Sequence, residues 1–457
     1  MSAHAQPAHA PFDPAAFDSF RFVSRELDAS GRVTLRYALD DQIAFVEEFD
    51  IPVASELDES ARERVEGLLS LLHWVAGVSY FKTALPAEVI CEGDTPTPAA
   101  AALLEALYSE GLGELAFTNA LPALPRPSFP RAPAAPGREA TTARELRRVL
   151  VPVGGGKDSA VAIEIARRAG LEVGLFSVGD APPIARTAAV AALPRLIVTR
   201  RLDPGLAALN RAGALNGHVP ITAIVSCVAL LTAALHDFDA VAMANERSAS
   251  AGNVRWQGIE VNHQFSKGRR AERLLAAAVG EAGGDVRVFS LLRPASELAI
   301  ARAFARLDSY HPAFTSCNAI FRLDPALRAA SWCCECPKCR FVFLALAPFS
   351  SPEHLRWVFG RDLLDEEAQY EGFALLTANG GHKPFECVGE EQESLAAIRL
   401  LIEDPRWRDH RVVQRLAREL PALHDPEQGR PEQVLALSDE HEVPAALMDE
   451  VRALLGA

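Results

Sequence analysis

The sequence predicts an α/β chain: a doubly wound parallel sheet, preceded by an N-terminal α+β domain and followed by a helical, cysteine-bearing region. Three observations predict it. From residue 148 onward, short apolar runs alternate with helical patterns, the order expected of a parallel sheet with crossover helices. A glycine-rich turn, Gly154-Gly-Gly-Lys-Asp-Ser159, lies between the first of those runs and the first helix. Four cysteines crowd into Cys333–Cys339 well beyond the last strand pattern.

The elements follow in order. Residues 18–50 read as strands, with Asp28-Ala-Ser-Gly31 as the turn between Phe20–Leu27 and Val33–Leu39. A long helical pattern runs from Glu56 to about Val78. Six prolines within residues 121–136 mark a stiff connector. Then come Arg148–Val153, a helix over Ser159–Ala169, Leu171–Val178, a helix, Arg195–Thr199, helices, Asp239–Ala244, a helix near Arg270–Val279, Val286–Leu291 and a helix from Ala295. The tail from Leu400 to Ala457 is helical in pattern. Expected boundaries are 1–120, a linker 121–140, a nucleotide-binding domain 141–310, and a cysteine-cluster and helical domain 311–457.

Composition bounds the function classes. A chain of 457 residues that is 49% hydrophobic is globular. Its net charge, 46 − 60 = −14, argues against broad nucleic-acid binding. Eight cysteines in a chain this long do not form a secreted disulfide framework, and the first twenty residues lack a signal-peptide pattern. A cytoplasmic setting is expected. Ala212–Leu235 carries no Lys, Arg, Asp or Glu, but its apolar part after Pro220 is fifteen residues, too short to span a bilayer. It reads as a buried helix, with no membrane insertion.

The loop at 154–159 is an anion cradle. Glycines admit a phosphate close to the backbone, and the unpaired N–H groups of the first helical turn face it. Lys157 adds a point charge, while Asp158 and Ser159 either hold a magnesium ion or cap the helix. A Walker loop would need Gly at 151 and Ser or Thr at 158, where Val and Asp stand. A dinucleotide fingerprint would need Gly at 159, where Ser stands. The segment instead resembles the PP-loop of ATP pyrophosphatases, with Gly154 at the usual first serine. That resemblance implies ATP bound through Gly154, Gly155, Gly156, Lys157, Asp158 and Ser159. Ligands of such sheets bind at the carboxyl ends of the strands, so Phe176-Ser-Val-Gly-Asp180, with Ser177 and Asp180, should cover the base; Asp180 is equally suited to capping a helix.

Other segments add chemistry. Asn245–Asn253 and Gly258–Lys267 leave the same sheet edge and are rich in ligand-holding side chains: Asn245, Glu246, Arg247, Ser248, Asn253, Glu260, Asn262, His263 and Lys267. Residues 246–273 hold six basic groups against three acids, which suggests an anionic substrate. The chain has only five lysines (Lys82, Lys157, Lys267, Lys338 and Lys383), and four of them, all but Lys82, fall in segments singled out on other grounds. Cys333, Cys336 and Cys339 have zinc-ligand spacing, and Cys317 completes a tetrahedral set, leaving Cys334 spare; buried free thiols or sulfur transfer through a transient disulfide are the rival readings. The loop Gly380–Gly389 brings His382, Lys383, Glu386 and Cys387 together, groups suited to proton transfer.

This set in this order resembles the ATP-dependent UDP-N-acetylmuramoyl-L-alanyl-L-glutamate epimerases of bacterial peptidoglycan synthesis. The likeness rests on Gly154–Ser159, Asn245–Asn253, Glu260–Lys267, Trp332–Arg340 and Lys383–Glu390 and spans roughly residues 15–400. It implies a cell-wall isomerase, serving cell shape and division, that consumes ATP and magnesium and releases AMP and diphosphate while inverting the terminal glutamate of an anionic nucleotide-linked dipeptide. Adenylating the carboxylate beside the α-carbon removes its charge, so that a modest base can take the α-proton. The expected catalytic groups are Lys157, Cys387, His263, Lys267, Glu260 and Glu246. Asn245, Arg247, Ser248, Asn253, Asn262, Lys383 and Glu386 are expected to hold substrate. Two other classes stay open: a tRNA-thiolating PP-loop enzyme and a non-catalytic ATP-binding regulator.

Overall fold

A computed structural model describes residues 11–133, 145–322, 326, 328–379 and 381–456. Residues 134–140 of the expected linker and Gly380 of the last motif lie outside the described residues.

Strands β1 (Ser19–Leu27), β2 (Arg32–Leu39) and β3 (Ile43–Asp50) form an antiparallel meander, with β4 (Glu88–Cys91) parallel to β1. The turn between β1 and β2 is the expected one. The Asp28 carboxylate accepts from the N–H groups of Ser30 and Arg32 at 2.8 and 3.0 Å, and Gly31 takes φ +85°. A Cβ at Gly31 would stand 2.3 Å from the Ile51 oxygen, so no other residue fits this turn unchanged. Along β2, Val33, Leu35, Tyr37 and Leu39 are buried while Thr34 and Arg36 are not, the alternation of a half-covered strand.

The helical pattern after β3 is not continuous. It breaks at Val65, whose backbone leaves helical geometry, into Glu59–Arg64 and Glu66–Ala76, followed by the single turn Val78–Phe81.

β5 (Arg148–Pro152), β6 (Glu172–Val178), β7 (Arg195–Arg201), β8 (Ala240–Met243) and β11 (Arg287–Ser290) are parallel, in spatial order β11-β8-β5-β6-β7. Both faces are covered. Val149, Val151 and Val153 enter one core and Leu150 the other, and Ala240 and Ala242 are likewise opposed to Val241 and Met243. Burial on both sides is why these strands read as apolar runs rather than alternating ones. The helix Lys157–Arg168 and the C-terminal helices, among them Pro337–Leu346 and Glu391–Glu403, pack on the first face. The helix Ile221–Leu235 and the N-terminal helices pack on the second.

One joint was not legible in the sequence. β7 pairs antiparallel with β3, Asp50 opposite Thr199, so the N-terminal meander and the parallel strands make one nine-stranded sheet. A second sheet is a small hairpin of β9 (Val254–Trp256) and β10 (Ile259–Val261). Its turn residues Gln257 and Gly258 both have positive φ, the geometry of a tight two-residue turn. Among the described residues, no helix is long and apolar enough to cross a membrane.

Candidate functional site

The chain winds from β5 outward to β6 and β7, then returns across β5 to β8 and β11. The direction of winding therefore reverses between β5 and β8, and the carboxyl ends of the strands at that reversal are where sheets of this kind take their ligands. Three segments meet there: the glycine loop after β5, residues 244–248 after β8, and residues 291–296 after β11, which lead into the helix Glu297–Phe304.

Gly155 has φ +83°, and a Cβ on it would stand 2.7 Å from Pro183; a Cβ on Gly156 would meet the Ser316 hydroxyl at 2.6 Å. A Cβ on Gly154 would meet nothing within 4 Å, so the loop is open at that point. The Gly155 oxygen accepts from the Thr315 N–H at 2.9 Å, which fastens the approach to Cys317 onto the loop. The helix begins at Lys157 behind Gly156, and no side chain caps it. Asp158 and Ser159 are thus not caps. Ser159 donates back to the Gly156 oxygen at 3.0 Å, and Asp158 pairs with the Lys157 ammonium.

Lys157 is buried and also bonds Glu297, itself 1% exposed. Burial favours the neutral amine, but Asp158 and Glu297 hold Lys157 charged, well above its ordinary range. Burial, then Asp158, pushes the Glu297 carboxyl up. Against its own burial, Asp158 is held below the usual range by Lys157, Lys338 and Lys267. Ser177, at the end of β6, donates to the Gly179 oxygen at 2.9 Å, and Asp180 pairs with Arg195 at 2.9 Å. Asp180 does not cap the following helix, whose N-cap is Ala181.

The proton-transfer candidates meet nearby. Lys267 donates to Cys387 Sγ at 3.4 Å and to Gln264 Oε1 at 3.3 Å. Burial would raise the Cys387 thiol, but Lys267 first, then a hydrogen bond from His263 and the charge of Lys338, push it down to about 6. Burial would lower His263, yet its bonds to Cys387 and Glu114 push it up to about 9. A thiolate beside an imidazolium is the result. The Lys267 ammonium stays charged against burial through Cys387, Glu246, Asp158 and Glu297, so the glycine loop and the thiol share one electrostatic cluster.

Other expected ligands are tied into the framework. Asn253 donates to the Pro384 oxygen at 2.7 Å and accepts from the His263 N–H at 2.9 Å, clamping the 382–389 loop against β10. Asn262 bonds the Ala249 oxygen and the Gln264 N–H, Asn245 bonds Ser290, and Arg247 bonds the oxygens of Ala436 and Val434. Glu386 accepts from the Lys338 N–H at 3.1 Å, and burial pushes its carboxyl up. Lys383 is buried 3.5 Å from the Gly389 oxygen. Ser248 is fully buried with no partner for its hydroxyl among the described residues. Glu246 is 2% exposed and faces Lys267. Glu260 stands apart: it is exposed and braces the hairpin through the Gly252 N–H. The basic surplus of residues 246–273 is largely spent, because Arg269, Arg270 and Arg273 pair with Glu440, Glu110 and Glu442.

Cys317, Cys333, Cys336 and Cys339 converge, with all four sulfurs within 4.8 Å of one another and Cys333 and Cys339 3.7 Å apart. A tetrahedral zinc thiolate with bonds of about 2.3 Å has sulfurs about 3.8 Å apart, so the set fits that ion. Cys334 points away, its S–H toward the Phe359 oxygen at 3.4 Å. Between Cys336 and Cys339, the buried Lys338 reaches the Cys387 oxygen, which ties this cluster to the thiol loop.

The sequence reading missed Glu114, His218 and Glu297. Each is an ordinary polar residue in a helical or loop segment, and only the fold brings it to the site. The lysine scarcity did carry a signal: Lys82, Lys157, Lys338 and Lys383 are buried, and Lys267 is half-buried.

Comparison with known proteins agrees along most of the chain. Residues 11–291 match the model of the MurL N-terminal domain, and residues 313–430 that of the MurL C-terminal domain. A UDP-N-acetyl-alpha-D-muramoyl-L-alanyl-L-glutamate epimerase from Micromonospora sp. is 47% identical over 415 residues, 88% of this chain and 91% of the relative. Proteins of the same name from Salinispora tropica (47% identity, 88% of this chain and 89% of the relative) and Xanthomonas oryzae pv. oryzae (42%, 97% and 98%) are also similar. Matched by both domain models and by relatives that it covers almost end to end, the chain belongs to the MurL family.

Proposed function

We propose that this chain is an ATP-consuming epimerase that converts the terminal L-glutamate of UDP-N-acetylmuramoyl-L-alanyl-L-glutamate to D-glutamate for peptidoglycan synthesis. The observation that carries the reading is the juxtaposition, at one sheet edge, of an open glycine loop headed by Lys157 with the Cys387–His263–Lys267 group. The names of the family relatives supply the substrate.

The chemistry runs in three parts. A carboxylate oxygen of the substrate attacks the α-phosphorus of ATP, and the bond to the departing pyrophosphate breaks. The open loop at Gly154 and the N–H groups at the start of the helix Lys157–Arg168 receive the phosphates, and the Lys157 ammonium, buried behind them between Asp158 and Glu297, keeps a positive charge in the loop. With the carboxylate masked as its adenylate, the α-proton passes to the Cys387 thiolate, and a protonated group on the opposite face returns one. Water then attacks the acyl carbon and breaks the bond to phosphate, freeing AMP and the nucleotide-linked dipeptide, now ending in D-glutamate. Lys267, beside the thiol, lowers the cost of negative charge developing at the α-carbon.

A magnesium ion is compatible with this site: the Asp158 carboxylate, in the first turn of the helix and 26% exposed, offers hard oxygen ligands. When bound, it would draw charge from the phosphates and orient them. Zinc fits the four cysteines as a structural ion, on the 3.7 Å sulfur spacing. The reaction belongs in the cytoplasm, where ATP is supplied.

The test is incubation with ATP, magnesium and the dipeptide nucleotide in deuterated water, following AMP release and α-deuterium uptake together. Stoichiometric appearance of both supports the reading. AMP release without deuterium uptake, or neither, defeats it.

A further inference from the structure

We propose that Glu114, supplied by the N-terminal part of the chain, is a positioning residue that holds His263 oriented and protonated against Cys387. The inference rests on the proton-transfer role given to Cys387 and His263 above, and adds to it a group from a segment that shows no chemistry in the sequence.

The geometry is specific. Glu114 lies on the short helix Gly113–Thr118, which packs against β10, and its carboxylate bonds His263 Nδ1. Both side chains are largely buried, at 15% and 13% exposed. With Nδ1 bound to the carboxylate, Nε2 is the ring nitrogen left for the thiol. The His263 backbone is fixed independently, because its N–H donates to Asn253 Oδ1. His218 packs its ring against His263 at 4.1 Å between centroids, tilted 37°. Burial and the neighbouring His263 push His218 down to about 4, so it is a neutral wall and not a second cation.

The charged surroundings of His263 decide how the carboxylate acts. Lys267 and Lys338 both bear on the Cys387 thiolate, and Glu386 lies within electrostatic reach of His263. Two lysines beside the thiolate disfavour a third cation there. Glu114 is the anion in direct contact that offsets them, so that imidazolium and thiolate coexist. Without it, His263 would lose its proton at lower pH and its ring would be free to turn.

The same three residues, Glu114, His218 and His263, place one ligand-type atom each within 4.8 Å of one another. A metal ion is the competing occupant. The direct carboxylate–imidazole bond and the ammonium of Lys267 next to the thiol favour the proton relay.

The experiment uses the full-length enzyme, with Glu114→Gln and Glu114→Asp. For Glu114→Gln, α-deuterium exchange should fall between about 10-fold and 10⁴-fold, the span for partners that orient a histidine. The basic limb of its pH–rate profile should move to lower pH, while ATP–pyrophosphate exchange persists. Glu114→Asp should restore part of the rate and the limb. A Glu114→Gln enzyme with the wild-type profile, at any rate, overturns the inference, as does a stoichiometric metal additional to that of the cysteines that disappears in Glu114→Gln. The underlying reading fails separately: it falls if Cys387→Ala exchanges α-deuterium at the wild-type rate.

Discussion

Replacing Lys157 tests both the fold and the chemistry of the loop. Its side-chain type suggests a residue aimed at ligand and free to be removed without structural cost. The structure corrects that expectation: Lys157 is 1% exposed and bonds both Glu297 and Asp158. Lys157→Met therefore leaves a buried carboxylate without its cation, a loss of roughly 3–5 kcal/mol. At about 2–4 °C per kcal/mol, the melting temperature should fall by roughly 6–20 °C. The sign with pH follows from Glu297, whose carboxyl is already pushed up by burial and rises further once Lys157 is gone. A carboxyl that holds its proton more tightly when folded destabilises as pH rises above its unfolded value, so the loss should be larger at pH 8 than at pH 6. Adding Glu297→Gln removes the stranded charge and should recover most of the stability. It should not recover ATP–pyrophosphate exchange, which needs the ammonium. Melting curves at both pH values, with isotope exchange on the same samples, decide the matter. A single variant that melts within about 2 °C of the parent, or a double variant that adenylates normally, would refute the reasoning.

Two further outcomes are expected. The rate of α-deuterium exchange should be bell-shaped in pH: it falls below about 6, where the Cys387 thiolate takes up a proton, and above about 9, where His263 loses one. A profile flat from pH 5 to 10 would remove both groups from the reaction. Protein purified without chelator should carry one zinc, lost in Cys333→Ser with Cys336→Ser. Since such a site contributes an apparent ~10–16 kcal/mol, comparable to the ~5–15 kcal/mol stability of a domain, the C-terminal helices should melt first, as read by protease sensitivity; metal-free protein of full stability would count against it.

Local patterning was legible from the sequence by itself. The alternation of apolar runs and helical patterns after residue 148 corresponds to the five parallel strands, because burial on both faces imposes an apolar code on each strand independently of its neighbours. The glycine turn, the spacing of Cys333, Cys336 and Cys339, and the retention of five lysines are likewise short-range or compositional signals. The apolar stretch after Pro220 reads as a buried helix for the same reason, and forms one over Ile221–Leu235.

Tertiary structure alone decided what joins to what. The pairing of β3 with β7 links segments some 150 residues apart, and nothing in either strand's own pattern names its partner. The surplus of arginines in residues 246–273 looked like a ligand patch because a sequence counts charges without their partners; Arg269, Arg270 and Arg273 meet acids from distant segments. Glu114 and Glu297 gave no signal, since a lone glutamate on a helix is ordinarily a solvated surface residue. Their burial against His263 and Lys157 arises from the packing of elements remote in sequence, and it is that packing, with the water it removes, that turns ordinary carboxylates into partners able to hold an imidazole and an ammonium charged.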